Sequence, residues 1–175
     1  KIVNSCGFDS IPHDLGALFT VQQQNGLLGP DRAGKVPVKV EGFVQAGGNF
    51  SGGTWHSMVN QVSRLREYYK KRKVWQQASS TKPTDRRRSS VVAPAIKYCK
   101  SFGAWAFPFP TIDPQVVKRT GAARKEFGPD FRYGHYVLTH HLYTGLAGAA
   151  AVGGVVALSQ FEFGKEKLLQ VRDPG

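Results

Sequence analysis

Two carboxylates stand five residues apart near the start of the chain, Asp9 and Asp14, with Ser10 and His13 between them. Paired acids at this spacing can hold a polar substrate group or exchange a proton with it, and Asp9 and Asp14 are the candidate catalytic pair. The bland alternative is that both are helix-start residues, favourable to the helix dipole. The elements around them are readable. A short apolar run, Ile2-Val3, breaks at Gly7, and Ser10-Ile11-Pro12 then gives a helix-start signal with Ser10 as N-cap. The helix is expected over Ile11 to Gln24, burying Ile11, Leu15, Leu18 and Phe19. Strand, tight polar turn and helix N-terminus would put the acids at the carboxyl edge of a sheet, where ligands bind in α/β folds.

A second candidate is Ser51-Gly52-Gly53-Thr54, with His56 one turn on. Backbone amides ahead of a helix can cradle a phosphate or carboxylate. The loop lacks the Gly-Lys-Ser/Thr ending of a nucleotide-hydrolysing loop, and a plain glycine turn capped by Thr54 explains it equally. His135, His140 and His141 do not stack on one helical face, so no metal is expected there. Cys6 and Cys99 form no C-x-x-C and no disulfide framework, which fits a reducing compartment.

Charge is concentrated. The chain carries 24 basic and 12 acidic residues, a formal +12. Between residues 64 and 100 only Glu67 and Asp85 oppose Arg64, Arg66, Lys70, Lys71, Arg72, Lys73, Lys82, Arg86, Arg87, Arg88, Lys97 and Lys100. Such a density exceeds what solvation needs and suits an acidic protein, RNA or an anionic lipid surface, with Lys70, Lys71, Arg72, Lys73, Arg86, Arg87 and Arg88 as the anion-facing group. No sequence-reading nucleic-acid motif accompanies it.

The remaining elements follow from periodicity. A loop is expected over Asn25 to Lys35, a strand over Val36 to Val44, and a long helix over Thr54 to about Gln77. Ser79 to Pro94 reads as a loop, and Asp113-Pro114 as a helix start with Asp113 as N-cap. Tyr136 to about Leu158 reads as one long helix, and Gly164 to Gly175 as a polar tail. Within that helix Gly145, Ala149, Gly153 and Ala157 make a smooth ridge, fit for close packing on another helix or for lying on a membrane through residues 142–158. The fold class is α+β, a few strands with several helices. The organisation is one domain or fragment: residues 1–24 strand, turn and helix; 36–78 strand and long helix; 79–95 basic loop; 96–175 a helical region.

Cys6-Gly7-Phe8-Asp9-Ser10-Ile11-Pro12 followed by Asp14-Leu15-Gly16 resembles the signature of the saccharopine dehydrogenase-like oxidoreductases. Ser51-Gly52-Gly53-Thr54 resembles a second loop of that family. Ile112-Asp113-Pro114-Gln115-Val116-Val117 and Gly128-Pro129-Asp130-Phe131-Arg132-Tyr133-Gly134-His135-Tyr136 are similar to its trans-acting enoyl reductase branch. The resemblance implies a substrate-domain-like fold, an NAD(P) cofactor and reduction of a lipid-type substrate by hydride from that cofactor. It implies site roles at Asp9 and Asp14, with Ser10, Ser51, Gly52, Gly53 and Thr54 toward the substrate and Cys6, Gly7 and Phe8 at the edge of the cofactor site. His56, by its place in the helix's first turn, and His13, as added proton chemistry or else a surface substitution, are further candidates on the substrate side. His13 departs from the family, which more often has serine there. Nucleotide-binding halves in this family precede the matched stretch, and no G-x-G-x-x-G after a strand occurs here, so NAD(P) is expected to be bound mainly by an absent N-terminal domain and not by this segment alone. An intracellular setting is expected, organellar or membrane-associated settings included. The rival class is a non-catalytic accessory subunit that docks on an acidic partner through its basic surface.

Overall fold

In the computed structural model the described residues are 10–45, 51–64, 67, 71, 87–92 and 95–173. They form an α+β structure of five helices and five strands in two compact units. The first unit takes residues 1–45 and 83–141, the second residues 46–82 and 142–175.

The first unit is built on a mixed sheet. Strand β5 (Asp130–Thr139) is its centre. Strand β1 (Val38–Val44) runs parallel along one side of β5, from Val38 opposite Phe131 to Val44 opposite Val137. The other side is shared by β2 (Arg88–Val91), parallel, and β4 (Ala104–Pro108), antiparallel, with β3 (Lys97–Cys99) beyond β4. Because side chains alternate across a strand, Val38 and Val40 share one face with Phe131 and Tyr133. Helices α1 (Ile11–Leu28) and α3 (Asp113–Ala123) pack on that face. Phe131 is fully buried with its ring edge-on to Phe127, centroids 4.6 Å apart.

Helix α1 forms where expected but turns a different face inward. Ala17 and Val21 are buried with Leu18 against them, whereas Ile11, Leu15 and Phe19 are exposed. Apolar residues occur on more than one side of α1, so periodicity alone could not choose its face. The helix also runs past Gln24, because Asn25 ties its end down: its amide donates to Glu126 O (2.9 Å) and its carbonyl accepts from Gly34 N (3.0 Å).

Further expectations are corrected. Within the segment read as a basic loop, residues 88–91 form β2, recruited by pairing with β5 and not by any alternation of its own. Tyr136 to Thr139 belong to β5, so the long helix starts only at Leu142. Phe131, Tyr133 and His135 recur every second residue, a strand pattern that the later uncharged run overshadowed. Residues 164–170 of the expected polar tail belong to helix α5 (Glu162–Gln170).

On the other face of the sheet Glu41 meets Lys97 Nζ at 2.6 Å and Lys39 Nζ at 2.9 Å. The Lys97 ammonium lies 4.7 Å from the centroid of the Tyr136 ring. Burial pushes the Glu41 carboxyl up, but hydrogen bonds and charge from the two lysines outweigh it and hold the group below its ordinary 4.5. A carboxylate depressed in the folded state stabilises above its unfolded value and loses that contribution as pH falls through the folded one. In urea titrations, wild type should therefore exceed Glu41→Gln by about 1 kcal/mol or less at neutral pH. That advantage should vanish in acid below pH 4.5. A difference unchanged across that window would contradict this.

The second unit contains α2 (Gly52–Ser63), α4 (Leu142–Leu158) and α5. Ser51 caps α2, its hydroxyl accepting from Thr54 N at 3.2 Å, where Thr54 had been the expected cap. Residues 67 and 71 are also helical, and the rest of the expected long helix lies outside the described residues. Val59 is fully buried, Trp55 Nε1 donates to Leu168 O (2.6 Å), and Gln160 Nε2 donates to Val62 O (2.9 Å). Gly164 lets the start of α5 lie against the end of α4, since a Cβ there would strike Leu158 O. In α4 Gly145 is buried, while Ala149, Gly153 and Ala157 are exposed. Among the described residues no helix is long and apolar enough to cross a membrane.

Candidate functional site

The first turn of α1, the first residue of α3 and the middle of β5 meet in one buried polar cluster. Ser10 stands at the N-cap position of α1 but does not cap it; its hydroxyl donates instead to Asp113 Oδ1 at 3.3 Å. Asp113 is likewise no N-cap. It is the first residue of α3, 2% exposed, and its Oδ2 accepts from Thr111 Oγ1 at 2.6 Å. The alternation of β5 sends His135 to the same side as Phe131 and Tyr133, 3% exposed, with Nε2 at 3.5 Å from Asp113 Oδ2. Among the described residues no hydrogen-bond partner meets His135 Nε2. His135 Nδ1 lies 3.2 Å from the Tyr133 hydroxyl.

His13, half-buried, presents its ring edge to His135 with centroids 4.7 Å apart, and Phe109 stacks on His135 at 5.6 Å. Asp14 Oδ2 accepts from Thr120 Oγ1 at 2.9 Å, while its Oδ1 is buried without a partner among the described residues. Gly42 lies opposite His135 in the β1–β5 register. A Cβ at Gly42 would collide with the Tyr133 hydroxyl, so only glycine leaves that phenol room to reach His135.

Burial holds the imidazole and the phenol of the cluster in their neutral forms. Burial and the neighbouring His13 lower the His135 imidazole to about 4 against the pull of Asp113. Burial and the carboxylates of Asp113 and Asp14 push the Tyr133 phenol up to about 12. At neutral pH the cluster offers a neutral imidazole, a protonated phenol and carboxylates that hydroxyls only partly satisfy. Such a set can orient a polar group by hydrogen bonds, hold a cation, or relay a proton.

The structure gathers Ser10, His13 and Asp14 at this cluster. Asp9, Cys6, Gly7 and Phe8 lie outside the described residues. Ser51, Gly52, Gly53, Thr54 and His56 belong to the second unit, where Ser51 caps α2 and His56 Nε2 lies 2.7 Å from Arg172 O. Of the anion-facing group, Lys70, Arg72, Lys73 and Arg86 lie outside the described residues, and Lys71 is exposed. Arg87 and Arg88 line a concavity on β2 together with Lys39 and Arg132.

Sequence reasoning missed Asp113, Thr111, Thr120, Tyr133 and His135 as members of the site. Ser10 and Asp113 are 103 positions apart, a proximity that no local spacing encodes. The available signals were the every-second-residue pattern of Phe131, Tyr133 and His135 and the family-like segments that hold Asp113, Tyr133 and His135.

The chain is similar to several saccharopine dehydrogenase-like oxidoreductases. It is 34% identical over 125 residues to that of Rattus norvegicus, covering 68% of this chain and 26% of the relative. It is 32% identical over 130 residues to that of Bos taurus, with 68% and 26% covered. A protein of Arabidopsis thaliana described as a probable mitochondrial saccharopine dehydrogenase-like oxidoreductase is 32% identical over 122 residues, with 68% and 25% covered. The chain thus spans about a quarter of the length of these relatives. No family model and no solved structure matches it. Over about two thirds of its length the chain is thus similar to saccharopine dehydrogenase-like oxidoreductases.

Proposed function

We propose that the protein works as part of an NAD(P)-dependent oxidoreductase of the trans-acting enoyl reductase kind, reducing a lipid-type substrate. The observation that carries this is the polar cluster at the start of α1, which lies in the segment that resembles the family signature. The family implies a nicotinamide cofactor, but the described residues do not fit a dinucleotide cradle. The sequence has no G-x-G-x-x-G, and the first turn of α1 has committed Ser10 and Asp14 to partners on α3. The reading therefore assigns the cofactor to residues other than those described, and this chain's task is to position the acceptor. Asp14 Oδ1 can accept a hydrogen bond from it, and half-buried His13 flanks the approach. The exposed, uncharged surface of α4 supports placing the protein at a membrane surface carrying such substrates. The name of the Arabidopsis relative supports a mitochondrial setting. NADPH consumption by the assembled oxidoreductase, with its cofactor-binding part present and offered enoyl and carbonyl acyl acceptors, tests the reading: acceptor-dependent oxidation is expected, and its absence with every acceptor would count against it.

A second reading, docking on an acidic partner as an accessory subunit, draws on one feature. Lys39, Arg132 and Ser90 lie in register across β1, β5 and β2, with Arg88 beside them. Reversing Arg86, Arg87 and Arg88 to glutamate should weaken binding to anionic vesicles roughly 100-fold or more, at ~1 kcal/mol per basic side chain, and added salt should mimic the change. RNA and co-purifying acidic proteins serve as parallel probes. Binding to all three unchanged in the variant would leave the basic surface without this role.

A further inference from the structure

The geometry points to a divalent metal site of the zinc type formed by His13, Asp113 and His135. One nitrogen of each histidine and one carboxylate oxygen of Asp113 all lie within 4.8 Å of one another. They come from three separate elements, the first turn of α1, the first residue of α3 and the middle of β5, so one ion would pin all three together.

Zinc binds imidazole nitrogen and carboxylate oxygen at about 2.0–2.2 Å in a tetrahedral arrangement, which sets neighbouring ligand atoms about 3.4 Å apart. His135 Nε2 and Asp113 Oδ2 are 3.5 Å apart, so that edge of the tetrahedron is already formed. His13 is half-buried on a helix surface and can close the remaining distance by a small side-chain rotation.

The second observation is the orphaned atom. His135 Nε2 belongs to a side chain 1% exposed and has no hydrogen-bond partner among the described residues. A buried polar atom left unmatched carries a desolvation cost. Coordination would remove that cost.

The surroundings are those a metal site requires. Ligating histidines are oriented by a bond from the other ring nitrogen, and ligating carboxylates are themselves hydrogen-bonded. Here His135 Nδ1 faces the Tyr133 hydroxyl at 3.2 Å, and Asp113 receives Thr111 and Ser10. Phe109 stacks on the His135 ring and limits its rotation. Two imidazoles and one carboxylate leave a fourth position, which on the half-buried His13 side is open to water or a ligand oxygen. The spacing of His135, His140 and His141 hid this site because its partners are far away in the sequence. His140 instead lies 3.4 Å from Gln45.

Titration of the purified protein with Zn²⁺ by calorimetry, and with Co²⁺ as a spectroscopic probe, tests the site. One equivalent of Co²⁺ should give the intense visible bands of four-coordinate cobalt, bleached by Zn²⁺. His13→Ser should weaken binding roughly 100-fold or more. Tyr133→Phe, which only removes a group behind the ligand, should weaken it ~10–100-fold. Because His13 is not in the core, His13→Ser should keep the metal-free melting temperature but lose the Zn²⁺-dependent rise seen in wild type. No saturable binding by wild type, or equal binding by His13→Ser, would overturn the site. Neither result depends on NADPH or on turnover, so it stands or falls apart from the oxidoreductase reading.

Discussion

Phe131→Ala is expected to lower the stability of the first unit by about 3–5 kcal/mol, the usual cost of emptying a buried aromatic position. The residue is fully buried in the central strand, beside β1 and β2 and edge-on to Phe127. Helix α3 comes close enough that a Cβ at Gly121 would strike the Phe131 ring. The void would therefore be walled by a ring and a helix backbone, neither of which collapses easily into it. A loss of this size is a large share of the 5–15 kcal/mol that holds a typical domain folded. Urea unfolding followed by circular dichroism measures it. A loss under about 1 kcal/mol would mean that β5 is not the centre of this core.

How much of this was legible in the sequence depended on where the signal lay. Strand β1 was readable because Val38 and Val40 alternate with Lys39 and Glu41, and each set faces one side of the sheet. The start of α1 was readable from Ser10-Ile11-Pro12, but its buried face was not, since Ile11, Leu15 and Phe19 offered a more apolar stripe than the Ala17–Val21 stripe that packs inward. Strand β2 could not be read at all: Arg-Ser-Ser-Val becomes a strand only because the edge of β5 accepts it. The site divided in the same way. Ser10, His13 and Asp14 were flagged by local chemistry. Asp113 and Ser10 both looked like helix caps, yet in the fold they bond to each other, a preference that only tertiary contact creates.

Asp14→Asn should separate chemistry from structure. The amide oxygen can still accept from Thr120 Oγ1, so the tie between α1 and α3 is kept. What disappears is the negative charge and the acceptor character of Oδ1, which is buried without a partner among the described residues. If that oxygen orients the acceptor or takes part in proton transfer, turnover should fall about 100-fold or more. The melting temperature should move only a few degrees, as for a loss of about 1 kcal/mol. The decisive measurement is NADPH-dependent reduction of an acyl acceptor by the assembled oxidoreductase, cofactor-binding part included, carrying wild type or Asp14→Asn, alongside their melting curves. The account predicts acceptor-dependent NADPH oxidation that collapses in the variant while its melting curve stays near wild type. Activity and melting temperature falling together, or activity unaffected, would contradict it and make Asp14 a structural link between two helices.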